Sequence, residues 1–130
     1  MCNGGGPAKI TITVSATTDK PYPPGLSDGV TTMPIGGGND ANFTTEVVAN
    51  QPIQFVVGGD VTAITEIKEG PGSDIFSTDP TPANKFLGKI GSLPKGDTRE
   101  YAIYYTVAGN VDENGNPVVF QQDPKLQMKR

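Results

Sequence analysis

A chain of 130 residues can form one domain that buries about two-thirds of its unfolded surface, but not a second independent core. Its net charge of −4 argues against binding to the phosphate backbone of nucleic acids, which requires clustered Lys and Arg. The sequence has no apolar run near the roughly 18 residues of a membrane-spanning helix. Its one cysteine cannot form an intrachain disulfide, so packing of the core must supply the stability.

The N-terminal sequence MCNGGGPA has two interpretations. In the first, residues 1–7 are a flexible Gly-rich leader before a single domain that spans residues 8–130. In the second, Cys2 is the lipid-bearing cysteine of a processed bacterial lipoprotein, followed by a tether of small residues. The sequence leaves both interpretations open.

The first strand signal is KITITVS, in which apolar and hydroxyl residues alternate. Ile10, Ile12 and Val14 are predicted to share one face of a strand whose other face is wet. A long loop is predicted after it, at about residues 17–43, because this segment is rich in Pro and Gly and its apolar residues are scattered. Long loops in compact domains are usually functional or mobile.

Three strand signals follow closely in FTTEVVA, PIQFVVG and VTAITEIK. The last is ambiguous, because Val61, Ile64 and Ile67 recur every three residues. Its β-branched residues favour a bulged strand over a short helix. Further along, IF at 75–76 predicts a short strand or turn, and KFLGKI at 85–90 predicts another strand.

The segment REYAIYYTV has the clearest alternation in the chain. It predicts one face with Tyr101, Ile103, Tyr105 and Val107 and an opposite face with Ala102, Tyr104 and Thr106. An Asn-Gly pair within NVDENGNP predicts a hairpin that leads into PVVFQQ. The last predicted strand is KLQMK, with its Leu and Met directed inward.

Helical periodicity is absent over three turns of any segment, whereas short strands alternate with turn signals. The sequence therefore predicts an all-β fold, an antiparallel β-sandwich of seven to nine strands. A barrel is the alternative.

The segment SLPKGDTREYAIYYTV resembles the corner of immunoglobulin-like and fibronectin type III domains, where a Leu-Pro turn leads into a Tyr-containing strand. The resemblance implies that the Tyr101 hydroxyl bonds back to the turn backbone, with Leu93 as packing partner. The sequence DPKL at 123–126 also resembles the end of several small bacterial β-sandwich proteins. Both resemblances imply a β-sandwich, and the first implies an immunoglobulin-like one.

The chain contains no histidine, which argues against serine-histidine triads and against the ordinary zinc and copper ligand sets. Most acidic residues lie in predicted turns, where Asp bonds its own backbone. In DENGNP, Asp112, Asn114 and Asn116 alternate as calcium ligands do, but Pro117 and Asp123 stand where an EF-hand needs Gly and Glu. We therefore predict no cofactor, no metal site and no catalytic residue, while a weak calcium site of another type stays open.

A sugar ring usually stacks on an aromatic side chain, and the chain has no tryptophan for that purpose. Tyr22 is one candidate. The other is whichever of Tyr101, Tyr104 and Tyr105 faces outward, although packing in the core or on the sheet surface is the favoured interpretation of these tyrosines.

The leading functional hypothesis is a non-catalytic structural or protein-interaction module, in a surface, filament or virion assembly, with an extracellular, cell-surface or virion location. In one version, KITITVS pairs with a neighbour's sheet edge through Ile10, Ile12 and Val14. In the other version it is the first strand of its own sheet. The alternatives are a carbohydrate or calcium-binding module that uses the end loops, and a hydrolase that uses carboxylates.

Overall fold

The computed structural model describes residues 8–36, 43–70 and 75–129. These residues form an all-β fold with two mixed sheets. The strands are β1 (Ile10–Ala16), β2 (Gly25–Ser27), β3 (Thr32–Met33), β4 (Thr44–Val47), β5 (Pro52–Gly59), β6 (Val61–Glu69), β7 (Phe76–Thr78), β8 (Leu87–Ile90), β9 (Thr98–Val107), β10 (Phe120–Gln122) and β11 (Lys125–Met128). A short 3-10 helix, Pro82–Asn84, lies between β7 and β8.

The six-stranded sheet has the order β3-β2-β1-β5-β8-β7. The five-stranded sheet has the order β10-β9-β11-β4, with β6 paired to β9. Strands β1 and β5 are parallel, as are β4 and β11. The prediction of a purely antiparallel sandwich is therefore wrong. Parallel neighbours need a long crossover connection, and strands that lie far apart in the chain give no hairpin signal in the sequence.

The predicted count of seven to nine strands is also too low, because β2 and β3 form within the segment predicted to be a long loop. They pair antiparallel, with Leu26 opposite Met33, and both side chains are buried. Strands of two and three residues are too short to show a period in the sequence. Of the glycines at 36–38, the last two lie outside the described residues, as does the leader with Cys2.

Strand β6 confirms the bulged strand predicted for VTAITEIK. Its pairing with β9 shifts register between Val61 and Ala63 and again between Ile64 and Glu66. Each bulge adds one residue to β6, so the inward positions recur after three residues and not after two. Val61 and Ile64 are buried, and Ile67 packs partly buried against the core.

One buried cluster receives side chains from both sheets. The inward face predicted for REYAIYYTV is confirmed, since its four inward residues are at most 3% exposed. The ring of Tyr101 on β9 lies 5.7 Å from that of Phe55 on β5 and 6.5 Å from that of Phe76 on β7. These aromatic contacts connect the five-stranded sheet to the six-stranded sheet.

Strands β9 and β10 pair antiparallel, which confirms the predicted hairpin. Its connection is wider than a two-residue reversal, and positive φ occurs at Gly115 but not at Asn114. The Asp112 carboxylate stabilises this loop instead, because its Oδ1 accepts the backbone N–H groups of Asn114 (2.9 Å) and Asn116 (3.0 Å). The acidic and amide residues here shape the turn.

Candidate functional site

The predicted interaction strand β1 lies inside the six-stranded sheet of its own chain. It pairs with β5 over residues 10–16 and with β2 over residues 13–15. Ile12 and Val14 are fully buried, and Ile10 packs at the margin of the core. In this arrangement the three side chains contribute to the chain's own core, and their exchange into a neighbouring molecule stays a prediction.

The predicted corner residues Tyr101 and Leu93 both pack into the core, where Tyr101 is 1% exposed. However, the Tyr101 hydroxyl has no hydrogen-bond partner among the residues that the structure describes. The expected hydrogen bond from this hydroxyl to the turn backbone is therefore absent there. Burial raises the pKa of the Tyr101 hydroxyl above its usual range, and the nearby Asp28 carboxylate raises it further.

A second tyrosine on the same face makes the kind of bond expected of Tyr101. The hydroxyl of Tyr105 donates a 2.6 Å hydrogen bond to the carbonyl oxygen of Pro21. Tyr105 is fully buried, and its ring stacks on that of Phe120 at 5.6 Å. The sequence does not distinguish these two tyrosines, because both lie on the inward face of β9.

Several acidic residues bond backbone groups, as the sequence predicts for aspartates in turns. Asp28 Oδ1 accepts the N–H groups of Val30 (2.8 Å) and Thr31 (2.7 Å), as Asp112 does in its own loop. No group of three or more carboxylate or cysteine side chains that could hold a metal ion occurs within residues 8–36, 43–70 and 75–129. Within the same ranges, no helix is long and apolar enough to cross a membrane.

Polar groups connect the loops at one end of the sheets. Thr18 donates its N–H to the Asp60 carboxylate (3.0 Å) and its hydroxyl to the carbonyl of Ala108 (2.8 Å). Asn110 donates its side-chain amide to the carbonyl of Thr18 (3.2 Å). These groups stabilise the loops, and the binding of a ligand by them stays a prediction.

A groove lies on the outer face of the five-stranded sheet, over the small side chain of Ala102. The cross-strand register builds it, because Lys68 pairs with Ala102 while Glu66 and Gln121 both pair with Tyr104. Its volume is about 420 Å³. Its polar and aromatic walls, together with the floor, include Lys68, Glu100, Ala102, Tyr104, Gln121 and Asp123.

Charged groups in this groove are available to a ligand. Lys68 and Glu100 are exposed, and neither forms an ion pair with a residue that the structure describes. The ion pair found among these residues joins Arg99 to Asp97 at 2.5 Å. Gln121 donates its amide to Asp123 Oδ1 (2.8 Å), so these two side chains support each other. Tyr104 is the half-exposed, outward-facing tyrosine of β9.

The outer face of the six-stranded sheet has a different character. Residues paired directly across strands share a face, so the hydroxyl residues of β1 align with those of β2 and β3. We call this surface the hydroxyl face, and it comprises Thr11, Thr13, Ser15, Ser27, Thr32, Gln54, Val56 and Leu87. It contains no carboxylate, but two lysines adjoin it: Lys9 donates its ammonium to Gln54 Oε1 (3.0 Å), and Lys89 shares the outer face of β8 with Leu87.

No protein-family model matches the chain, and a search of curated proteins found no significantly similar sequence.

Proposed function

We propose that the chain is a non-catalytic structural or protein-interaction module with an immunoglobulin-like β-sandwich fold, which serves in a surface, filament or virion assembly. The sandwich is supported by the single core cluster shared by the two sheets and by the Tyr101 ring contacts with Phe55 and Phe76. Sheets that bury one face each against the other leave their outer faces to solvent or to partners.

The observation that carries this proposal is the hydroxyl face, which contains no carboxylate. The chain has 14 acidic residues, yet none of them belongs to this face, and the charged side chains that adjoin it there are the cations Lys9 and Lys89. Charged residues are depleted at the centre of protein–protein interfaces, because their desolvation is costly. By contrast, the outer face of the five-stranded sheet carries Glu66, Lys68 and Glu100.

A second copy of the chain is the partner that fits this face. A net charge of −4 makes two copies repel each other where carboxylates meet. Two hydroxyl faces bring no carboxylates together, and Val56 and Leu87 add apolar area beside the hydroxyl groups. Self-association through this face therefore avoids the electrostatic cost that other contacts between copies would carry.

The inward and outward sides of β1 have different roles in this proposal. Ile12 and Val14 hold the strand in its own core, while Thr11, Thr13 and Ser15 on the opposite side contribute to the interface. Assembly then requires no exchange of β1 between molecules.

Sedimentation velocity over a concentration series tests the proposal. We expect the wild-type chain to associate as its concentration rises, and Thr13→Lys to raise the dissociation constant at least tenfold by placing a cation in the interface. Thr65→Lys is the matched control, because Thr65 is exposed on β6 and away from the hydroxyl face. A wild-type chain that stays monomeric, or equal association of wild type and Thr13→Lys, would count against the proposal.

A further inference from the structure

We propose that the groove over Ala102 binds a neutral saccharide, with Tyr104 as the stacking platform. The groove lies on the five-stranded sheet, whereas the proposed assembly face lies on the six-stranded sheet. The two proposals can therefore fail independently.

The shape of the groove follows from one small residue among larger ones. Along β9 the outward residues at the groove are Glu100, Ala102 and Tyr104, so Ala102 leaves a depression between a carboxylate and an aromatic ring. The volume of about 420 Å³ falls within the roughly 300–1,000 Å³ of ligand-binding clefts. A ligand of one or a few rings can lie in this space along the strand.

Tyr104 provides the apolar contact that a sugar ring needs. Its side chain is partly exposed at the groove wall. An aromatic side chain combines an apolar ring face with a polar tip, which suits a ligand whose C–H groups and hydroxyls alternate. Tyr101 and Tyr105 cannot take this part, because both are buried.

The polar groups of the groove match hydroxyl groups better than they match a charged ligand. A saccharide hydroxyl both donates and accepts, so it can accept from the Lys68 ammonium and donate to the Glu100 or Asp123 carboxylate. Three carboxylates, those of Glu69, Glu100 and Asp123, line the groove together with one ammonium, so the local charge disfavours an acidic saccharide or a phosphate. The geometry therefore favours a neutral ligand over an anionic one.

The partly fixed position of the polar groups strengthens this argument. The Gln121–Asp123 hydrogen bond of 2.8 Å holds both side chains near the wall opposite Lys68. Groups that are positioned before the ligand arrives lose less entropy on binding. Glu69 also lines the groove, but its carboxylate accepts the N–H groups of Ile75 and Phe76 and so supports the loop instead.

A glycan array with neutral and acidic oligosaccharides, probed with the full chain, is the first test. We expect neutral glycans to be retained, and calorimetry with the strongest of them to give a measurable dissociation constant. Tyr104→Ala should weaken this binding at least tenfold through loss of the ring, and Ala102→Leu should weaken it as much by filling the groove.

Tyr22→Ala is the matched control, because Tyr22 is 51% exposed and outside the groove. It should bind the glycan as the wild type does, and circular dichroism should show that all three variants keep the fold. Lys68→Ala gives an independent measure, since it removes a hydrogen-bond donor from an exposed position. The proposal is overturned if no neutral glycan binds, if acidic glycans bind in preference, or if Ala102→Leu binds as tightly as the wild type.

Discussion

The hydroxyl of Tyr105 donates a 2.6 Å hydrogen bond to the carbonyl oxygen of Pro21, which lies 84 positions earlier in the chain. This bond attaches the segment after β1 to the centre of the five-stranded sheet. Four residues before Tyr105, on the same face of β9, the hydroxyl of Tyr101 is buried and has no partner among the described residues. The two tyrosines therefore allow a comparison, on one strand, of how a buried hydroxyl with a hydrogen bond and one without affect the free energy of unfolding.

Replacing each of these tyrosines with phenylalanine should therefore have opposite effects. Tyr105→Phe should lower the free energy of unfolding by about 1 kcal/mol, because it removes the bond to Pro21. Tyr101→Phe should leave the free energy of unfolding unchanged or raise it by up to about 1 kcal/mol. In the wild type this hydroxyl loses its hydration on folding and gains no hydrogen bond, and the variant avoids that cost. Urea unfolding of both variants measures the difference, and an equal loss in the two would contradict the assignment.

The raised pKa of Tyr101 predicts a loss of stability at alkaline pH. An unfolded chain releases a tyrosine proton near pH 10, at about the usual value, whereas the folded chain retains the Tyr101 proton above that pH. The folded state then binds more protons than the unfolded state, so the free energy of unfolding falls as pH rises above about 10. Below that pH this contribution is constant.

Tyr101→Phe isolates this contribution from the other groups that titrate at high pH. The difference in unfolding free energy between the variant and the wild type should be flat from about pH 7 to 9 and should then increase in favour of the variant up to about pH 11. Urea unfolding at each pH measures it. The prediction fails if the difference does not depend on pH.

Glu69 is predicted to stabilise the start of β7 through its carboxylate. Oε2 of Glu69 accepts the N–H of Ile75 (2.5 Å) and the N–H of Phe76 (3.0 Å), and both of these residues are buried. Glu69→Ala should lower the free energy of unfolding by about 2 kcal/mol, because two buried donors lose their acceptor. Glu66→Ala, at an exposed position of the same strand, should stay within about 0.5 kcal/mol of the wild type. Similar chemical denaturation midpoints for the two variants would show that the carboxylate contributes little.

Gly59 is the last residue of β5, before the turn into β6, and a side chain has no room there. Its φ is +56°, and an added Cβ would lie 2.6 Å from the carbonyl oxygen of Ala16. Gly59→Ala should lower the free energy of unfolding by more than about 2 kcal/mol, since backbone strain and a steric clash add together. Gly29→Ala is the control, because Gly29 has a φ of +89° with open space around it and should show the backbone strain alone. Thermal unfolding that ranks Gly29→Ala as the more damaging change would refute this prediction.

Much of the strand pattern could be predicted from the sequence because alternation is a local property. The inward faces of β1, β9 and β11 follow from the period of two, and the three-residue spacing in β6 indicates its bulges. The short pair β2 and β3 could not be found in this way. Their pairing depends on the neighbouring edge of β1, and two or three residues carry no period.

Some features of the candidate groove follow from the local sequence, and others depend on the pairing of distant strands. That Tyr104 points opposite to Tyr105 follows from alternation along β9, and Ala102 marks a small residue on that outward face. The position of Lys68 beside Ala102 depends on the two register shifts in β6, and Gln121 reaches Tyr104 only through the pairing of β10. A sequence motif for this site does not exist, because its walls come from three strands.

The amino-acid sequence by itself determined that this protein is built from strands and which side of each long strand faces the core, since side-chain direction alternates along any extended chain. Only the tertiary structure decided that β1 pairs parallel with β5, and that Tyr105 and not Tyr101 reaches a backbone carbonyl. These outcomes depend on which distant segments meet. That choice is made by the packing of the whole core and leaves no local signal in the chain.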